Sequence, residues 1–225
     1  MSLHRPFIAC LCALAVAVAA AAATPVLTPA LQAELEAAVA HYESGQHAQA
    51  QAAFESLARR QVPAAQYDLA VMHLRGEVAA PDIALARELM TRAACAGFVT
   101  AQLKLAQALE GGDFGARDLA LAHRWYQVAA VNGSVDAQLA VGTAHYLGRG
   151  LPKDPSLAVH WFREAAKGGD VGAMYLLASM YEQGDGVARD LRLARHWYEQ
   201  AARGGDEAAP GKLKELDERL ARPPA

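Results

Sequence analysis

Residues 137–172 read AQLAVGTAHYLGRGLPKDPSLAVHWFREAAKGGDVG, and the spacing inside this stretch decides the fold. The same arrangement restarts at Ala65, Ala101, Ala137, Ala173 and Ala209, each start 36 residues after the last. A fixed period of this length means stacked helical hairpins, because a single hairpin cannot bury its apolar face alone. Set in register, the units form columns: Asp82, Asp118, Asp154 and Asp190; Leu89, Trp125, Trp161 and Trp197; Ala93, Ala129, Ala165 and Ala201; Gly97, Gly133, Gly169 and Gly205.

Physical roles follow from the position of each residue in the unit. A first helix predicted over 137–147 places Val141, Ala144 and His145 on one stripe facing its partner helix. Gly148 and Gly150 end it, glycine being the residue that tolerates positive φ. Asp154 is positioned to N-cap the second helix by accepting from its unpaired amides, with Pro155 at the first helical position. Ala158, Trp161, Phe162, Ala165 and Ala166 make the buried stripe of that helix, and Gly169 falls where a left-handed cap closes it.

These columns resemble the Sel-1-like repeat family, relatives of the tetratricopeptide repeats. Residues 173–208 match best, with Tyr181, Gly184, Gly186, Val187, Asp190, Ala194, Trp197, Tyr198, Ala201, Ala202 and Gly205 in order. The unit at Ala137 has Gly142 as its small residue, His145 where Tyr is usual and Phe162 as its second aromatic. The unit at Ala101 keeps Trp125 and Tyr126 but moves its second loop glycine to Gly115. The unit at Ala65 has Leu89 and Met90 for the aromatics and Val78 for that glycine, so its turn is expected to differ in shape. The resemblance implies an all-α fold, a right-handed superhelical solenoid of antiparallel helix hairpins that binds other proteins in a bacterial cell envelope. Exported members of the family include regulators of membrane sensors, assembly factors for surface polymers, and immunity proteins that neutralise secreted toxins.

The ends complete the organisation. Arg5, the uncharged apolar run Phe7 to Ala20 and the small residues Ala21 to Ala23 read as a signal peptide over residues 1–23. The mature chain is then expected in the periplasm or outside the cell, without stable membrane insertion. Residues 24–64 hold a degenerate hairpin: a helix over 30–42 with Leu31, Leu35 and Val39, then one over 47–60 with Ala50, Phe54, Leu57 and Ala58. Four repeats span 65–208. Residues 209–225 add a capping helix, expected over 212–221 after Pro210 and Gly211, with Leu213, Leu216 and Leu220 on its packed side.

Composition excludes more than it selects. Removing Arg5 with the signal peptide leaves 20 basic residues against 24 acidic ones, a balance that argues against a nucleic-acid partner. Of three cysteines only Cys95 survives cleavage, so no internal disulfide is expected. It is then open to a disulfide dimer, a reactive thiol or an ordinary place late in a helix. No His-Glu-x-x-His spacing occurs, and His123, His160 and His196 fall just ahead of the Trp column as periodic packing residues, so no metal is expected. The four Asp residues are caps a full repeat apart, too distant for acid–base work on one bond. Neither a phosphate loop nor a Ser-x-x-Lys motif is present, which leaves a cell-wall or β-lactam hydrolase as the weakest alternative. The expectation is a non-enzyme without cofactors.

Tetratricopeptide-like geometry would put the first-helix residues opposite the packing stripe on a concave, half-apolar surface suited to a protein or peptide. These are Tyr67, Val71 and Leu74; Leu103, Gln107 and Glu110; Leu139, Thr143 and Tyr146; and Tyr175, Ser179 and Glu182. At the start of each set, Tyr67, Leu103, Leu139 and Tyr175 either anchor a partner or pack on the adjoining repeat.

Overall fold

The computed structural model of the protein describes residues 28–221, so the signal-peptide reading falls outside the described residues. Among these there are eleven α-helices and no strand. They are α1 (Pro29–Glu43), α2 (His47–Arg59), α3 (Pro63–Arg75), α4 (Ile83–Cys95), α5 (Val99–Gly111), α6 (Leu119–Val131), α7 (Val135–Leu147), α8 (Pro155–Lys167), α9 (Val171–Gln183), α10 (Leu191–Arg203) and α11 (Ala209–Ala221). The chain forms two compact units, one up to Val128 and one from Ala129, the division falling inside α6. In the first unit each of α1 to α4 packs on the next helix, and in the second each of α7 to α10 does the same. The protein is an all-α solenoid of helix hairpins.

The polar columns do what their chemistry requires. Oδ1 of Asp82, Asp118, Asp154 and Asp190 accepts from the amides of Leu85, Leu121, Leu157 and Leu193 at 2.9–3.0 Å. At the other end of these helices Gly97, Gly133, Gly169 and Gly205 take φ between 87° and 97°. The following amides of Phe98, Ser134, Asp170 and Asp206 then return to the carbonyls of Ala93, Ala129, Ala165 and Ala201 at 2.9–3.1 Å. This is the Schellman closure, which satisfies carbonyls that a helix end leaves open. The first full repeat turns differently, as its Val78 suggested. There the Asp82 amide donates to His73 Nδ1 at 3.1 Å, whereas Asp118, Asp154 and Asp190 donate to the backbone carbonyls of Leu109, His145 and Tyr181.

Four details differ from the sequence expectation. In the third and fourth repeats the aromatic driven fully into the core is the second of the pair. Phe162 is 1% exposed and Tyr198 0%, while Trp161 and Trp197 are only half-buried and cover the packing from outside. Only Trp125 among the tryptophans is buried, at 4%. The terminal helix begins at Ala209, three residues early, because Asp206 Oδ1 accepts from the amides of Ala208 and Ala209 and Pro210 sits in the first turn, where its missing N–H costs nothing. On that helix Leu216 is buried and Leu213 half-buried, but Leu220 is 42% exposed. In α1 Ala38, not Val39, is the fully buried neighbour of Leu35.

A polar series missed in the sequence joins successive hairpins. Nε2 of Gln66, Gln102 and Gln138 donates to the carbonyls of Ala58, Ala94 and Ala130 at 3.4, 3.0 and 3.1 Å, tying the first helix of a repeat to the end of the preceding one. In the fourth repeat Met174 stands at this register.

Candidate functional site

In two repeats, the helices of a hairpin are joined by a carboxylate and a phenol. Tyr126 Oη donates to Glu110 Oε2 at 2.6 Å, and Tyr198 Oη to Glu182 Oε2 at 3.1 Å. Burial, and then the adjacent carboxylate, raises both phenols well above the usual tyrosine range. The third repeat replaces the pair by two rings, Tyr146 against Phe162 with centroids 6.4 Å apart. In the first full repeat the same register holds Leu74 and Met90, which offer neither ring nor hydrogen bond.

Leu74 and Met90 line a cavity of about 470 Å³ that lies wholly in the first unit. Tyr67, Val71 and Arg75 join Leu74 along α3, while Lys104, Gln107 and Ala108 face it from α5 and Asp113 from the turn beyond. Turn spacing explains the α3 set: residues four and three apart stand on one side of a helix. The Tyr67 ring is fixed edge-on against Phe98, centroids 5.5 Å apart, and burial together with the charge of Asp68 raises its phenol pKa. Arg75 donates to Tyr42 Oη at 2.9 Å, and Tyr42 in turn donates to Glu77 Oε2 at 2.9 Å, so the guanidinium is held at the mouth by the first hairpin. That hydrogen bond to Tyr42 raises the Arg75 pKa further. Lys104 is exposed and makes no ion pair among the described residues. Glu77 also lies 4.0 Å from Arg75, so around the mouth two cations, Arg75 and Lys104, stand with two carboxylates, Asp113 and Glu77.

Of the residues expected to bind a partner, the cavity brings together Tyr67, Val71, Leu74 and Gln107. Leu103 is half-buried elsewhere on α5, and Glu110 is engaged by Tyr126. In the second unit Leu139, Tyr146 and Tyr175 pack against the buried cluster around Phe162, Leu177 and Tyr198, the Tyr175 and Tyr198 rings 5.1 Å apart. Glu182 is held by Tyr198 and by Arg219 of α11, Ser179 accepts from Gln183, and Thr143 is half-buried on α7. Leu139 and Tyr175, half-buried, thus make packing contacts in this unit. Sequence reasoning missed Arg75, Met90, Lys104 and Asp113. A register comparison exposes the cations: the other repeats carry Gly111, Leu147 and Gln183 against Arg75, and Asp68, Ala140 and Leu176 against Lys104.

Among the described residues no three His, Cys, Asp or Glu converge as a metal site, and no helix is long and apolar enough to cross a membrane. Cys95 is the exposed last residue of α4, in a column with Val131, Lys167 and Arg203 that is exposed throughout.

The family model for the Sel1 repeat matches residues 63–98, 99–134, 135–170 and 171–206 in unbroken succession. The chain belongs to the Sel1 repeat family. Each match opens at the start of a first helix, α3, α5, α7 or α9. Among solved structures, this Sel1 repeat protein resembles a protective antigen with an SLR fold from uropathogenic Escherichia coli, with 29% identity, a TM-score of 0.77, and 85% of this chain and 42% of that one covered. It also resembles a Sel1 repeat protein of Oxalobacter formigenes, with 33% identity, a TM-score of 0.70, and 75% and 49% covered. The chain thus spans less than half the length of either relative. A search of the curated proteins finds no match. Sel1 repeat proteins are generally protein-binding scaffolds.

Proposed function

We propose that this Sel1 repeat protein is a non-catalytic adaptor or regulator exported to a bacterial cell envelope, and that it holds a protein segment on its first helices with the α3–α5 cavity as the main contact. One observation carries the reading. The cavity lies where the array departs from its own pattern, since the Glu–Tyr or Tyr–Phe pair that joins a hairpin elsewhere is Leu74 and Met90 there. Met90 is packed into the core there and Leu74 stands half-buried at the cavity wall, and concave pockets with a few polar groups are where ligands bind. Export rests on Arg5, the apolar run to Ala20 and the alanines before Thr24.

Site-specific photo-crosslinking in the producing cell tests both parts. A crosslinker at Gln107 is expected to trap a protein in the envelope fraction, and one at the exposed Arg203 to trap none. Intact-mass analysis is expected to show loss of residues 1–23. A full-length cytoplasmic chain, or equal adducts from both positions, would refute the reading.

A further inference from the structure

A single asparagine occurs in the whole chain, Asn132, and Gly133 follows it. It stands exposed just past the end of α6, at a register where the other repeats carry Ala96, Gly168 and Gly204. The hairpin therefore forms without a side-chain amide at this place. Chemically the pair is reactive: with no Cβ on Gly133, nothing screens its backbone nitrogen from the side-chain carbonyl carbon of Asn132. The residues that follow have structural purposes, since Gly133 takes φ 91° and Ser134 Oγ accepts from the Ala137 amide at 3.3 Å to cap α7.

The fold holds that reaction back. The Gly133 amide donates to the Ala130 carbonyl at 3.1 Å, and the Ser134 amide to that of Ala129 at 2.9 Å. Gln138 Nε2 donates to the Ala130 carbonyl as well, at 3.1 Å, so the last turn of α6 is tied down from both sides. Ala96, Gly168 and Gly204, which precede the same closure, have φ of −75° to −77° and ψ of −4° to 2°. Closing a five-membered ring instead requires Cβ of the asparagine and the next nitrogen to be eclipsed about the Cα–C bond, which helical ψ does not give. The turn has to open before the nitrogen is free to attack.

We infer that Asn132 is a self-modification site, deamidated at a rate set by the opening of the α6 end. The Gly133 nitrogen loses its proton to base and bonds to Cγ of Asn132, and the side-chain nitrogen leaves as ammonia. Water then opens the cyclic imide at either carbonyl, leaving an aspartate or an isoaspartate. Either product puts a carboxylate on the C-terminal end of α6, where the helix dipole opposes it. The isoaspartate also inserts a backbone carbon ahead of Gly133, which pulls the Gly133 and Ser134 amides out of register with Ala130 and Ala129. The closure that delays the reaction is thus weakened once it has run, and the end of α6 changes one way with age.

The test incubates the purified protein in mildly alkaline buffer, folded and in urea, beside a synthetic peptide of residues 127–138, and follows intact mass for replacement of the amide by a carboxyl group. Because the chain has no other asparagine, the mass gain reports this site, and Asn132→Gly, the residue of two sister repeats, controls for glutamine. The peptide and the unfolded chain are expected to convert at a common rate, and the folded chain at least about tenfold more slowly. Gln138→Ala should speed the folded chain several-fold and leave the unfolded one unchanged. The converted fraction, separated by anion exchange, should melt below the parent. Equal rates folded and unfolded, no conversion in the peptide, a gain that persists in Asn132→Gly, no response to Gln138→Ala, or unchanged melting of the converted fraction would each overturn the inference.

Discussion

Alanine at position 142 should destabilise the protein, although alanine is the better helix former. Gly142 lies inside α7, where exchanging Gly for Ala gains about 1 kcal/mol of helix propensity. A Cβ built there meets Cδ1 and Cε1 of Phe162 at 2.8 Å and Cβ of Trp161 at 3.3 Å. Carbon atoms rest at about 3.5–4.0 Å, so the overlap approaches an ångström. The Phe162 ring is buried under Tyr146 and cannot swing clear. Overpacking of this kind costs about 1–3 kcal/mol, which offsets the propensity gain and leaves a net loss of about 1 kcal/mol. Gly172, in the first turn of α9, is the internal control. Its added Cβ touches only Asp170 Oδ1 at an ordinary 3.4 Å, so Gly172→Ala should gain about 0.5–1 kcal/mol.

Urea unfolding followed by far-ultraviolet circular dichroism and tryptophan fluorescence, with coincident transitions, measures both. Phe162→Leu completes a double-mutant cycle, in which Gly142→Ala should lose most of its cost once the ring is gone. If Gly142→Ala stabilises as much as Gly172→Ala, or if the cycle shows no coupling, the ring over Gly142 is not what limits the site.

Three further outcomes are expected. Phe162→Ala should cost about 3–5 kcal/mol in the same assay and Trp161→Ala clearly less, because the phenyl ring is buried and the indole half-exposed; equal losses would put both rings in the core. Asp68, on α3, is pushed up from 3.8 to about 6 by burial, so the folded state holds its proton more tightly than the unfolded chain. The stability this contributes is complete below about pH 4 and lost by about pH 6, so Asp68→Asn should flatten that fall and gain about 1 kcal/mol at neutral pH, checked by melting across pH 3.5–7.5. Gln138→Ala should cost about 1–2 kcal/mol by leaving the Ala130 carbonyl without its side-chain donor, whereas Gln138→Met, the residue at position 174, should cost less in urea unfolding because it refills the space.

The fold was legible because a repeat states its own rules several times. The Asp caps, the positive-φ glycines and the alanine stripe recur at one spacing, and each acts locally within a helix or at its end. What was misread depended on direction rather than spacing. Trp161 and Phe162 are neighbours in sequence and both apolar, and only the orientation of α8 on α7 decides which ring enters. Pro210 looked like a boundary, yet capping by Asp206 absorbs it into the first turn. The candidate site was half legible. Tyr67, Val71, Leu74 and Gln107 lie on the predicted face of α3 and α5, but Arg75 and Lys104 are conspicuous only against the neutral or acidic residues that sister repeats carry. The Ala-Gln pair opening three units was visible as a pattern, and its purpose was not, since it bonds backward across a hairpin boundary.

That backward bond makes the joints of the array interchangeable. Gln66, Gln102 and Gln138 all engage an alanine carbonyl eight residues earlier, so each joint is built from the same two parts. Deleting residues 63–98 would set Gln102 against the carbonyl of Ala58 and restore the joint it removed. A gene that gains or loses a whole hairpin therefore encodes an array with no mismatched seam, and length becomes the least constrained property of such a protein. The same rule marks an exception at Met174, where the seam is sealed by apolar contact and lacks the amide that fixes it in place.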